Sequence, residues 1–174
     1  MAHQLLGDLR ANLAFDQHAG ELVPELVRAS WPPLRFVFPH APLRSVTING
    51  GMRMRAWYDI VGMDFANRAD AAGIEESVQQ VEALIAREVE RGTPASRIVL
   101  AGFSQGGAIA LHAGLRHPRR LAGVMALSTF LPLAERLAGE AHPANRDVPI
   151  FMAHGQGDSV IPHAFAQQSA ELLA

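Results

Sequence analysis

The chain has 174 residues, of which 49% are apolar and 18% charged, with a formal net charge of −2 and no cysteine. That balance fits a folded chain with a sizeable core and argues against nucleic acid as a partner, because Arg119-Arg120 is its sole basic cluster. No apolar run is long enough to cross a bilayer, no signal-peptide pattern stands at Met1 to Arg10, and disulfides and a cysteine nucleophile are excluded.

Residues 3–29 carry two helical stripes, Leu5/Leu9/Leu13 and Leu22/Leu26/Val27, with Gly20 and Pro24 breaking or restarting the helix between them. Trp31-Pro32-Pro33 reads as a turn, and residues 34–38 as a strand closed by Pro39 and Pro42. Residues 39–57 run through prolines and glycines without clear periodicity, and the expectation is a long loop of the kind that often carries function. The spacing of Ile74, Val78, Val81, Ile85 and Val89 predicts an amphipathic helix over 74–91, stopped by Gly92. A short β-branched run at 98–101 predicts a buried strand, and 108–115 a helix. Residues 121–127 and 148–153 read as further strands, 131–137 as a short helix and 162–174 as a closing helix. Strands alternating with helices imply an α/β chain with a parallel sheet of four or five strands, covered on both faces. Residues 1–174 are read as a single domain whose first 33 residues are atypical.

Gly102-Phe103-Ser104-Gln105-Gly106 stands between the strand at 98–101 and the helix that follows. G-x-S-x-G in a strand–turn–helix context reads as the nucleophile elbow, a turn so tight that small residues must flank the serine, rather than as an ordinary glycine-rich βα turn, the other reading the stretch allows. The helix also points its first N–H groups and positive dipole end at the serine, which suits a developing oxyanion. Past the strand at 148–153, Asp158 would lie on the same carboxyl rim of the sheet. Chain order serine then acid fits a Ser/Asp/His hydrolase, although a turn or capping role explains the same aspartate. The imidazole is harder to place. His163 is the only histidine after Asp158 and reads as a helix-start surface residue. His112 and His117 lie two or more turns along the helix from Ser104, His154 reads as structural, His40 has no specific support, and His3 and His18 fall in the unreadable start.

From about residue 34 onward the chain resembles the phospholipase/carboxylesterase family of α/β-hydrolases, which includes the acyl-protein thioesterases. The stretches that carry the resemblance are FVFPHAPLRSVTING, AWYDI, SRIVLAGFSQGGAIALH, LAGVMALSTFLPL and ANRDVPIFMAHGQGDSVIP. The resemblance implies an α/β-hydrolase sheet and hydrolysis of small acyl esters or thioesters, with no cofactor and no metal. It implies Ser104 as nucleophile, Asp158 as triad acid, the Gln105 N–H as half of an oxyanion hole, and an acyl site lined by the loop from Leu43 to Trp57. It also implies a cytoplasmic protein that is sometimes dimeric. Two family features are not found: an H-G-x-G loop near the start, where residues 3–20 read HQLLGDLRANLAFDQHAG, and a Gly-His pair beyond one further strand. Strands are therefore expected to be missing at both ends of the sheet, and hydrolysis by this chain to be weak or absent. The alternative is a non-catalytic fold that binds acyl groups or a protein partner. A nucleotide-binding α/β domain is disfavoured, since no G-x-G-x-x-G opens a helix and no lysine exists for a P-loop. With no further strand beside it, the strand at 148–153 is expected to form an apolar edge through which the chain dimerises or aggregates.

Overall fold

A computed structural model of the chain describes residues 5–8, 24, 27–31, 33–62 and 69–174. Its main sheet has five strands in the order β2-β1-β5-β6-β7. These are β1 (Leu5–Asp8), β2 (Arg35–Val37), β5 (Val99–Phe103), β6 (Gly123–Leu127) and β7 (Ile150–Ala153). Every pairing in it is parallel. β3 (Leu43–Val46) and β4 (Met52–Arg55) form a separate antiparallel hairpin. The described helices of four residues or more are α1 (Ala71–Glu90), α2 (Gln105–Arg116), α3 (Leu137–Glu140) and α4 (His163–Leu173).

Helix α1 forms where the periodicity placed it. Asp70 caps its start by accepting the Gly73 N–H at 2.9 Å. Ile74, Val81 and Ile85 are fully buried, while Val78 and Val89 pack half-buried against the same core. Each such side chain contributes on the order of 1.5–3 kcal/mol by leaving water. Helix α2 is different: every residue from Gln105 to Leu115 is buried, because α2 lies against β5 and β6 on one side and α1 on the other. Its run of alanine and glycine lets main chain approach main chain, and no polar face is needed.

Three expectations need correction. Leu5, assigned above to a helical stripe, lies in β1, which sits inside the sheet between β2 and β5. Four-residue leucine spacing over so short a window does not separate a helix from a buried strand, and pairing on both edges decides the matter. Leu9, Leu13, Leu22 and Leu26 lie outside the described residues. Residues 39–57 are not an aperiodic loop either, since they contain the β3–β4 hairpin. Its connection uses Gly50 and Gly51 at φ 66° and 77°, a conformation that glycine adopts without a steric cost. The short helix expected at 131–137 begins later, as a 3-10 turn over Ala134–Arg136 that runs into α3.

In the register of the sheet, Phe103 lies opposite Leu127, and Leu127 opposite Ala153. The carboxyl ends of β5, β6 and β7 therefore finish level and form one rim. The Ser104 N–H donates to Leu127 O at 2.9 Å, and the Ser128 N–H to Ala153 O at 2.8 Å, so the first residue beyond each strand is fixed by its neighbour.

Candidate active site

Ser104 is the single residue between β5 and α2. Its backbone has φ 53° and ψ −124°, which costs a non-glycine residue on the order of 1–3 kcal/mol. Packing enforces it. A Cβ at Gly102 would lie 2.2 Å from the Gly106 carbonyl carbon and 2.5 Å from the Gly107 nitrogen. A Cβ at Gly107 would lie 2.7 Å from Thr129 Cγ2. Gly102 is thus required by the approach of the first turn of α2 to the end of β5, and Gly107 mainly by Thr129 beyond β6. The strained serine between them is the result.

Ser104 opens onto a cavity of about 330 Å3 at the strand rim. The rim supplies Phe103, Ser104, Gln105 and Ser128; the hairpin supplies Val46, Asn49, Met54, Arg55 and Ala56; the segment after β7 supplies Asp158, Val160 and Ile161. Ile60 completes the wall, which is mostly apolar. The hairpin is held against the elbow by the Gln105 side chain. Its Oε1 accepts the Trp57 N–H and its Nε2 donates to Tyr58 O, both at 3.0 Å. Burial raises the pKa of the Tyr58 hydroxyl well above its ordinary value. Arg44 donates from Nε to Ala56 O at 2.9 Å and from Nη2 to Glu76 at 3.1 Å, tying the hairpin to α1. The Asp70 carboxylate that caps α1 also accepts the Asp59 N–H at 2.9 Å. As the first residue of α2, Gln105 has a backbone N–H with no acceptor inside the helix, beside Ser104.

Asp158 stands on the opposite wall. Its Oδ1 accepts the N–H groups of Val160 at 2.9 Å and Ile161 at 3.0 Å, and its Oδ2 lies 3.5 Å from His154 Nε2. The Ile161 N–H, and after it the Val160 N–H and His154, hold its pKa below the usual carboxylate value, against the opposing effect of partial burial.

No histidine is among the described residues that line the cavity. His154 donates from Nε2 to Ile161 O at 2.8 Å, and the ring of His163 meets its ring edge-on at 5.9 Å. His117 is buried and bonded through Nδ1 to Glu82 at 2.8 Å. His112 is buried within α2, and burial first, with Arg116 second, lowers its pKa to about 4. His40 is exposed, and His3 and His18 lie outside the described residues.

A model of the phospholipase/carboxylesterase family matches residues 16–174. The chain belongs to that family. Acyl-protein thioesterase 1 of Cryptococcus neoformans is 40% identical over 154 residues, covering 87% of this chain and 65% of the relative. Acyl-protein thioesterase 1 of Schizosaccharomyces pombe is 40% identical over 140 residues, covering 80% and 62%. The chain thus spans about 65% of the length of the curated relatives it matches. The crystal structure of Arabidopsis thaliana SOBER1 superposes with a TM-score of 0.85 at 27% identity, over 98% of this chain and 81% of that one. The phospholipase/carboxylesterase match begins at residue 16, upstream of the point near residue 34 where the motifs become legible.

Of the residues read from this family's pattern, Ser104, Gln105 and Asp158 come together on one cavity. Leu43 and Trp57 do not line it. Leu43 is 58% exposed at the start of β3, and Trp57 is buried in the core, where its carbonyl accepts a hydrogen bond from Ser77. The segment between them does supply wall residues; Leu43 lies at the exposed start of β3, and Trp57 follows two residues after β4. Ser128, which lines the cavity at φ 46°, was not singled out in the sequence. Its signal was its place just past the β6 strand, level with Ser104.

Proposed function

We propose that this chain carries the nucleophile side of an ester or thioester hydrolase site, with a small acyl ester or thioester as substrate. Ser104 is the nucleophile, Asp158 the acid that orients and charges the site, and the Gln105 N–H a donor to the oxyanion. In the reaction, Ser104 Oγ adds to the acyl carbonyl carbon as its proton passes to a base. The tetrahedral oxyanion is held by N–H donors, the alcohol or thiol leaves with a proton, and water hydrolyses the acyl-enzyme. The mostly apolar wall suits an acyl chain. The observation that carries this reading is the strained Ser104 elbow opening onto the same cavity as Asp158. Labelling by a fluorophosphonate, lost in Ser104→Ala, is the expected result. A wild-type chain that ignores the probe at high concentration counts against an activated serine.

A second reading has its own observation: the described cavity wall contains no imidazole. Losing a triad base costs on the order of a million-fold in turnover. In that reading the site binds acyl groups without turning them over. Slow or absent hydrolysis of an aryl ester, together with saturable binding of its non-hydrolysable ether analogue, supports it. Rapid turnover abolished by Ser104→Ala excludes it.

A further inference from the structure

The His154 side chain is only 5% exposed, yet it does not line the cavity. Its Nε2 lies 2.8 Å from Ile161 O, so this nitrogen carries the proton and donates it. Ile161 in turn donates its N–H to Asp158 Oδ1, and Val160 adds a second N–H to the same oxygen. The ring therefore closes a loop with the turn it faces. One bond fixes the carbonyl of Ile161, the peptide on its other side presents the N–H, and the carboxylate is clamped. Asp158 Oδ2 remains 3.5 Å from the same Nε2. Meanwhile His154 Nδ1 is buried with no hydrogen-bond partner among the described residues. A buried, unsatisfied ring nitrogen is costly. An apolar side chain would fill the same space without that cost, so packing alone does not account for an imidazole here.

We infer that His154 is the positioning residue of Asp158: its Nε2–H, bonded to Ile161 O, holds the turn whose N–H groups keep the carboxylate on the cavity wall. The inference rests on the hydrolase reading for its functional meaning, but its geometry stands without turnover. His154 touches no reacting atom in this scheme and is not a catalytic residue.

The test uses the full chain with labelled histidine and aspartate. In the wild type at pH 8, imidazole nitrogen shifts are expected to show the His154 proton on Nε2; a proton on Nδ1 alone overturns the inference. The carboxyl carbon of Asp158 is then titrated in wild type, His154→Gln and His154→Leu. Glutamine keeps an N–H donor in the same region, and leucine removes it. His163, the other titratable group meeting this ring, is unchanged in both. The leucine variant is expected to move the Asp158 midpoint up toward the free aspartate value of about 3.9, and the glutamine variant, which loses the imidazole's charge but keeps the donor, to move it less. An unchanged midpoint in folded His154→Leu overturns the inference. If that variant does not fold, the wild-type tautomer decides. A chain that ignores the fluorophosphonate while Asp158 follows His154 loses the hydrolase reading and keeps the clamp. Labelling with an indifferent Asp158 does the reverse.

Discussion

Gly102→Ala tests the elbow most directly. The added methyl would stand 2.2, 2.3 and 2.5 Å from three main-chain atoms of Gly106 and Gly107, where ordinary contact begins at 3.4 Å. None of these atoms can rotate aside, so the start of α2 must move from β5 by roughly 1 Å. Overpacking typically costs about 1–3 kcal/mol, and the absence of any flexible neighbour puts this case at about 3 kcal/mol or above. In a chain of this size that corresponds to a fall in melting temperature of about 6–12 °C. A displacement of about 1 Å at a reacting group can also cost about a hundred-fold in rate. The assays are urea unfolding and the rate of fluorophosphonate labelling, with Gly139→Ala as control. Gly139 lies in exposed α3 with nothing within 4 Å of its added Cβ, so that change is expected to be neutral or to stabilise by about 0.5–1 kcal/mol. If Gly102→Ala unfolds at the wild-type midpoint and labels at the wild-type rate, the packing account of the elbow is wrong.

Asn145 is buried and makes three bonds to the 117–121 turn: its Oδ1 accepts the Leu121 N–H, and its Nδ2 donates to His117 O and Arg119 O. Asn145→Ala leaves three main-chain groups short of partners and is expected to cost about 3–4 kcal/mol, read by urea unfolding; a loss under about 1 kcal/mol refutes this. His112 has a folded pKa of about 4, below the unfolded value of about 6.5, so the unfolded chain binds the extra proton first. Its contribution is intact above the unfolded value, and stability falls by up to about 1.4 kcal/mol per pH unit from there down to the folded value. Denaturation of His112→Gln is expected to show a shallower slope over that window, and an unchanged slope would falsify the assignment. β7 is an edge of the sheet among the described residues, with Phe151 58% exposed on it. The chain is expected to self-associate in light scattering, with Phe151→Lys reducing the effect, and a monodisperse wild-type monomer at high micromolar concentration contradicts this.

Much of this chain can be read without coordinates. The five-residue stripe of α1, the β-branched run of β5 and GFSQG each depend on neighbours within a few residues, so local physics suffices for them. The hairpin was legible in principle: Asn49-Gly50 between LRSV and MRMR is a turn signal flanked by apolar–arginine alternation. Polarity does not separate the faces: Arg44 sits on the inward face with Val46 and Met54, bonded to Ala56 O and Glu76, while exposed Leu43 shares the other face with Arg53 and Arg55, so alternation does not reveal the strands. What only the tertiary structure decided is non-local. Leu5–Asp8 becomes an internal strand because β2 and β5 offer it partners 30 and 93 residues further on, and no local pattern encodes that. Trp57 is held beside the elbow by the Gln105 side chain, 48 residues away, and Met54, three residues earlier, reaches the cavity wall. The level rim that sets Ser128 beside Ser104 and Asp158 across from it follows from strand register. Register depends on which strands pair, and that choice is made by the whole core at once.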